Sequence, residues 1–360
     1  MKRWGLVAGI GAAAALVAVI GTVCLSVGCA NVGYLARSVS GHLDLVARAK
    51  PIDDLAVDSV TPAELRERLA LAQRIRDFAV HELALPDNHS YRRYADLGRP
   101  AAVWNVVAAP ELSLALETWC FPVVGCVGYR GYYDRAAADA EAATLRARGL
   151  EVSVYGVPAY STLGKLDWLG GDPLLNTFVH WPEGELARLV FHELSHQVVY
   201  AADDTMFNES FATAVERLGG SRWLAQQAGD AARAQYAALD GRRRDFRALT
   251  GRYRDRLDAL YRSPANEAEK RAGKAALMQE LRAEYAALKA DRWAGFAGYD
   301  AWFERANNAS FGVLAAYNEL VPHFERLFER EGRDFTRFYA EVRRLAGLPK
   351  PERHATLRAI

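Results

Sequence analysis

The sequence predicts an α+β fold that is predominantly helical, with a small mixed β-sheet and a long helical C-terminal part. Three observations carry this expectation. Amphipathic stretches rich in Ala, Leu, Arg and Glu fill residues 61–85 and 221–300. Segments rich in Val and aromatics, broken by Pro and Gly, are confined to the middle third. The 360 residues are 51% apolar and 25% charged, an ordinary globular balance that excludes a disordered or collagen-like chain. There are 45 basic and 44 acidic residues, with no basic excess to hold a phosphate backbone, so nucleic acid is not an expected partner.

Residues 1–28 read as a signal peptide. Lys2 and Arg3 precede an uncharged apolar run that reaches Gly28. The run is long, so an uncleaved single-span anchor is the alternative. Ser26-Val27-Gly28-Cys29 resembles a bacterial lipobox, in which a small residue precedes the cysteine that is lipidated. Ser26 stands where such boxes usually carry Leu. Cys29 is the expected lipidation site. The body is expected at the bacterial cell envelope, lipid-anchored to a membrane and facing the periplasm. Cys120 and Cys126 flank a Pro and a Gly, and in an oxidising compartment they are expected to close a small disulfide loop. A zinc-binding pair would be spaced more closely and would need a second pair.

Four segments follow: 1–28 as signal, 29–60 as tether and first helix, 61–220 as catalytic core, and 221–360 as a helical domain. Thr61, Pro62 and Glu64 open a helix as N-cap, first-turn proline and capping acid. Leu65, Leu69, Ile75 and Phe78 keep helical spacing, and Pro86-Asp87-Asn88 ends it. Strands are predicted over 101–114, 120–133 and 151–162, with a helix over 134–149 that stops at Gly149. Residues 181–220 form two helices with a tight connection; the second runs from near Asn208 to a glycine stop at Gly219-Gly220. Residues 221–300 form an antiparallel helix pair turning near Ser263-Pro264-Ala265-Asn266. Further helices cover 308–330 and 333–346.

The chemistry sits in His192-Glu193-Leu194-Ser195-His196. On a helix, positions i and i+4 share one side, so both imidazoles can reach one metal ion. A catalytic zinc takes three protein ligands and leaves a fourth position for water. Glu193, one residue from the first ligand, is placed to act as general base. The third ligand comes from Glu209 or Glu216. Val199 and Ala202 exclude the metzincin pattern, and Asp203 and Asp204 fall in the turn. Glu216 stands at the spacing of thermolysin-like enzymes, and Glu209 at a shorter one.

His192-Glu193-Leu194-Ser195-His196-Gln197 followed by Phe207-Asn208-Glu209-Ser210-Phe211-Ala212 resembles the gluzincin zinc aminopeptidases. More narrowly, the chain resembles a bacterial family of predicted lipoprotein aminopeptidases. That likeness extends to residues 90–94, 103–110 and 156–164 and covers most of the mature chain. The resemblance implies a zincin-like core, one zinc ion per chain, and a peptide substrate. It implies that His192, His196 and Glu209 hold the metal. Glu216 then lies two turns on along the same face and would orient a ligand histidine. Tyr317, on a helix after the motif, is the candidate donor to the oxyanion. The Gly-x-Met-Glu-Asn stretch with which the best-known gluzincin aminopeptidases bind a free amino terminus is absent from the sequence.

The expectation is therefore a membrane-tethered zinc peptidase, with aminopeptidase preferred over endopeptidase. A zinc hydrolase acting on non-peptide amides is a third enzymatic reading. The rival from another class is an envelope binding or scaffold protein with a structural metal site. The intact Glu193 argues against it, because a structural site needs no base.

Overall fold

The computed structural model describes residues 29–121, 125–159, 161–164 and 167–360, with the side chains of 29–32, 35 and 315–317 outside the description. The signal segment 1–28, the side chain of Cys29 and that of Tyr317 thus lie outside the described residues. Among the described residues no helix is long and apolar enough to cross a membrane.

The chain divides into two units, one ending at Arg48 and one spanning Ala49–Ile360. The described part of the first is a single amphipathic helix, α1 (Cys29–Arg48). In chain order the second unit has β1 (Lys50–Pro51), α2 (Ile52–Val57), α3 (Ala63–Leu83), β2 (Arg93–Ala95) and β3 (Val103–Pro110). Next come β4 (Trp119–Phe121), β5 (Gly125–Val127), β6 (Arg130–Tyr132), α4 (Arg135–Ala147), β7 (Leu150–Val157) and β8 (Leu174–Leu175). The rest is helical: α5 (Glu183–Ser195), α6 (Thr205–Gln226), α7 (Asp230–Arg262), α8 (Glu267–Asp291) and α9 (Asp300–Arg305). It ends with α10 (Asn308–Asn318), α11 (Val321–Arg330), α12 (Phe335–Ala346) and α13 (Lys350–Arg358). The fold is predominantly helical α+β, as the sequence predicts.

The main sheet is antiparallel, in the order β6-β3-β7. A smaller sheet, β1-β2-β8, contains a parallel pair between β2 and β8, and β4 and β5 form a hairpin. The side chains of β3 alternate between two faces, and both faces are covered. Val106 and Ala108 face α4 through Ala138, Ala142 and Leu145. Val107 and Ala109 face the other way, onto Ala309 of α10. The cysteines behave as expected, joining β4 to β5 through a Cys120–Cys126 disulfide.

α7 and α8 form the expected helix pair. Asn266 and Glu269 make a capping box at the turn. Its core is aromatic, built on Phe246, Tyr253, Tyr285, Trp293 and Phe303.

Four boundaries differ from expectation. α3 starts at Ala63 with Pro62 at its cap, and Thr61 makes no side-chain cap bond. Instead the Thr61 carbonyl accepts from Arg66. α6 does not stop at Gly219-Gly220 but runs to Gln226. The glycines serve close packing: a Cβ on Gly219 would lie 2.6 Å from Leu83, and one on Gly220 would lie 2.8 Å from Arg188. The helix predicted over 308–330 is two helices. Pro322 at the start of α11 has no N–H to continue the ladder, and the Leu320 amide turns to Ser210 Oγ. Finally, α13 was not predicted; it is short and polar, and is fixed by tertiary contacts described below.

Candidate metal centre

α5 begins after Pro182, with Glu183 and Glu185 in its first turn, where acidic side chains complement the helix dipole. Leu186, Val190, Phe191 and Leu194 bury its back. His192 and His196 stand one turn apart. His196 caps the helix but keeps helical backbone angles, so the two rings remain together, with centroids 5.0 Å apart.

The connection to α6 is short and tightly held. Asp203 takes a left-handed conformation, and Asp204 caps α6 by accepting from the Phe207 amide. Asp204 is also the partner of Arg353 at 2.6 Å and of His354 at 2.9 Å, which ties α13 to the start of the ligand helix. The Cys126 amide donates to Asp203 Oδ1 at 2.6 Å, so the disulfide hairpin rests on the same turn. Asn208 bonds both backbone groups of Ala201. The next residue is Glu209, which this bracing delivers to the histidines.

Three donor atoms converge. His192 Nε2 lies 3.3 Å from Glu209 Oε2 and 3.3 Å from His196 Nε2, and His196 Nε2 lies 3.7 Å from Glu209 Oε2. Tetrahedral ligands at zinc distances are separated by about 3.3–3.6 Å. The triangle has that size, and two imidazoles plus one carboxylate make up the donor set of a catalytic zinc site. Among the described residues these three form the cluster able to hold a metal ion. They are 8%, 7% and 9% exposed, and so buried.

Glu216 is brought to the same site but not into the triangle. Its Oε2 lies 3.0 Å from His192 Nδ1, and its Oε1 is bound by Arg188. Burial raises its carboxyl, but Arg188 and His192 outweigh this and hold it down at about 2. Burial disfavours a charge on His192 as well, yet its hydrogen bonds to the Glu209 and Glu216 carboxylates raise its pKa well above the usual range. His196 is pushed down to about 4 by burial, against the pull of Glu209. Glu193 is pushed up to about 7, first by burial, against the His192 attraction and with Glu209 and Asp172 adding to the rise. A carboxylate near neutrality can both accept and return a proton.

A polar network gathers around Gln197, the residue after His196. Asn88 donates to Gln197 Oε1 at 2.6 Å, and Gln197 Nε2 donates to Ser90 Oγ at 3.1 Å. Ser90 Oγ also accepts from the Asp172 amide, and the Asp172 carboxylate accepts from the Thr162 amide. The segment at 161–164 is thereby held beside the metal helix.

Tyr317 lies on α10, which packs on α6, but its side chain is outside the described residues. Sequence reasoning missed several residues. Tyr129 and Tyr155 are held protonated by burial, and both feel the Glu209 carboxylate. Arg188 had one signal, a charge inside the apolar run of α5, four residues before His192. Arg353 and His354 had none, because their partner Asp204 is remote in sequence.

A model of the family described as "Putative aminopeptidase" matches residues 33–357. No curated protein and no solved structure matches the chain.

Proposed function

Since the chain belongs to the family described as "Putative aminopeptidase", we propose that it is a zinc-dependent aminopeptidase of gluzincin type. The observation that carries the metal part is the convergence of His192, His196 and Glu209 at ligand spacing, with Glu193 beside them. These three residues would hold the ion, and Glu216 would orient His192. When bound, a divalent ion there supplies Lewis acidity, acidifying water and polarising a peptide carbonyl.

Glu193 takes a proton from the attacking water and returns it to the leaving nitrogen, so that addition of water across the C–N bond yields an acid and an amine. Tyr317 donates a hydrogen bond to the oxyanion.

The proposed location is the bacterial envelope, with Cys29 lipidated and the body in the periplasm. Its support is the layout of residues 1–29. Labelling with a radioactive fatty acid in a bacterial host tests it, and loss of label in Cys29→Ala is the expected result.

The activity is tested by zinc content together with hydrolysis of peptides bearing a free or an acetylated amino terminus. About one zinc per chain and cleavage only of the free form are expected. Cleavage of both forms would make the enzyme an endopeptidase. Zinc without any turnover would favour a structural site.

A further inference from the structure

We propose that Arg188 is a positioning residue for the metal centre: by clamping Glu216 it holds the His192 ring so that Nε2 faces His196 and Glu209. Arg188 stands four residues before His192 on α5, so the two share a helix face. The Glu216 carboxylate lies between them, one oxygen on the guanidinium and the other 3.0 Å from His192 Nδ1. An ionised carboxylate only accepts. Nδ1 must therefore carry the hydrogen, so the neutral ring turns its Nε2 lone pair toward a metal.

The clamp is built into three helices. The Arg188 and Glu216 side chains are only 7% and 17% exposed. Gly220 of α6 makes room for the Arg188 stem, because a Cβ there would lie 2.8 Å from Arg188 Cγ. The ring of Tyr236 on α7 lies 5.9 Å from the guanidinium. Glu185 lies 4.0 Å from Arg188 and is itself held at 2.6 Å by Arg243 of α7. Charge thus alternates from Arg243 through Glu185 and Arg188 to Glu216, which holds the His192 ring. A buried ion pair is a poor source of stability, since desolvation offsets most of its attraction. What the pair does specify is the direction and tautomer of His192. Outer partners of this kind typically change metal affinity by about 10–100-fold when removed.

The inference rests on the metal reading, and zinc affinity measured by competition with a chelator separates the two. The chains compared are wild type, His192→Ala, Arg188→Met, Arg188→Lys, Glu216→Gln and the Arg188→Met/Glu216→Gln double variant. Arg188→Met is expected to weaken zinc binding by about 10–100-fold, with Arg188→Lys in between. The double variant is expected to bind no more weakly than the weaker single variant, because Arg188 acts through Glu216. Zinc bound by Arg188→Met within about two-fold of wild type overturns the inference alone, as do losses that multiply in the double variant. Wild type that takes no more zinc than His192→Ala overturns the metal reading as well. If Arg188→Met fails to fold, because it strands a buried carboxylate, the double variant strands no such charge. Its affinity then decides: equality with Glu216→Gln, about 10-fold or more below wild type, supports the clamp, and a further loss overturns it.

Discussion

The side-chain amide of Asn208 exchanges two hydrogen bonds with the backbone of Ala201, each at 2.8 Å. It thereby closes the connection between the helix that carries the histidines and the helix that carries Glu209. Asn208→Ala would strand two buried backbone groups at about 1–3 kcal/mol each. A loss of about 2–4 kcal/mol in urea unfolding of the metal-free chain is expected, together with weaker zinc binding, because Glu209 loses its brace. Unchanged zinc affinity would mean that α6 places Glu209 without help from Asn208.

Glu193→Gln should retain zinc, since Glu193 is not among the three converging donors. It should lower turnover by about 10²–10⁴-fold, the usual contribution of a general base. Zinc content and peptide hydrolysis on the same sample check both halves. A variant that keeps zinc and full activity would remove Glu193 from the reaction.

The legible part of the site is the local part. His192 and His196 follow from a spacing that any helix turns into one face. Glu209 needed more, because two glutamates of α6 are equally acidic on paper; the likeness to a known pattern favoured one, and the geometry brings that one to the histidines. Gly219-Gly220 misled because glycine marks a helix end and a close contact alike. The second meaning depends on Leu83, Phe191 and Arg188, none adjacent in sequence. The break at Leu320 and the final helix were illegible for the same reason: their partners, Ser210 and Asp204, lie far away along the chain.

Gly219→Ala sets two effects against each other. Alanine in a helix interior gains about 0.5–1 kcal/mol over glycine. The new methyl would sit 2.6 Å from Leu83 and 3.0 Å from Phe191, both fully buried. Overpacking costs about 1–3 kcal/mol, so the substitution is expected to destabilise by about 1–2 kcal/mol. A lower melting temperature of the metal-free chain would bear this out, and a higher one would show that Leu83 can yield.

Asp204 gives an acid-dependent term. Burial would raise its carboxyl, but hydrogen bonds from His354 and Arg353 outweigh this and hold it below its ordinary value. The folded chain therefore releases this proton more readily than the unfolded one. The resulting stability is complete above the unfolded value of about 3.9 and is lost as pH falls through the lower folded value. Asp204→Asn strands buried Arg353 and should cost about 3–5 kcal/mol at neutral pH. Urea unfolding from pH 7 to 3 should show a constant gap between the two proteins that narrows only below about pH 4. A gap that narrows nearer pH 6 would assign the effect to another group.

The oxyanion donor is the last choice the site leaves to experiment. Tyr317 is the proposed donor, on a helix packed against α6. Tyr129 is the competing hydroxyl; burial raises its pKa, and Glu209 and Glu193 both act on it, so it stays protonated at neutral pH. A donor that bonds the oxyanion is needed in the transition state more than in the bound substrate, so its loss falls on kcat rather than KM. Removing one such donor typically costs about 10²–10³-fold in kcat. Tyr317→Phe is expected to show that loss with zinc content unchanged, and Tyr129→Phe to stay within about ten-fold of wild type. The reverse pattern would assign the donor to Tyr129, placing the oxyanion on the side of the site where β5 and β6 meet. Equal small effects would leave the charge to the metal alone and remove both hydroxyls from the reaction.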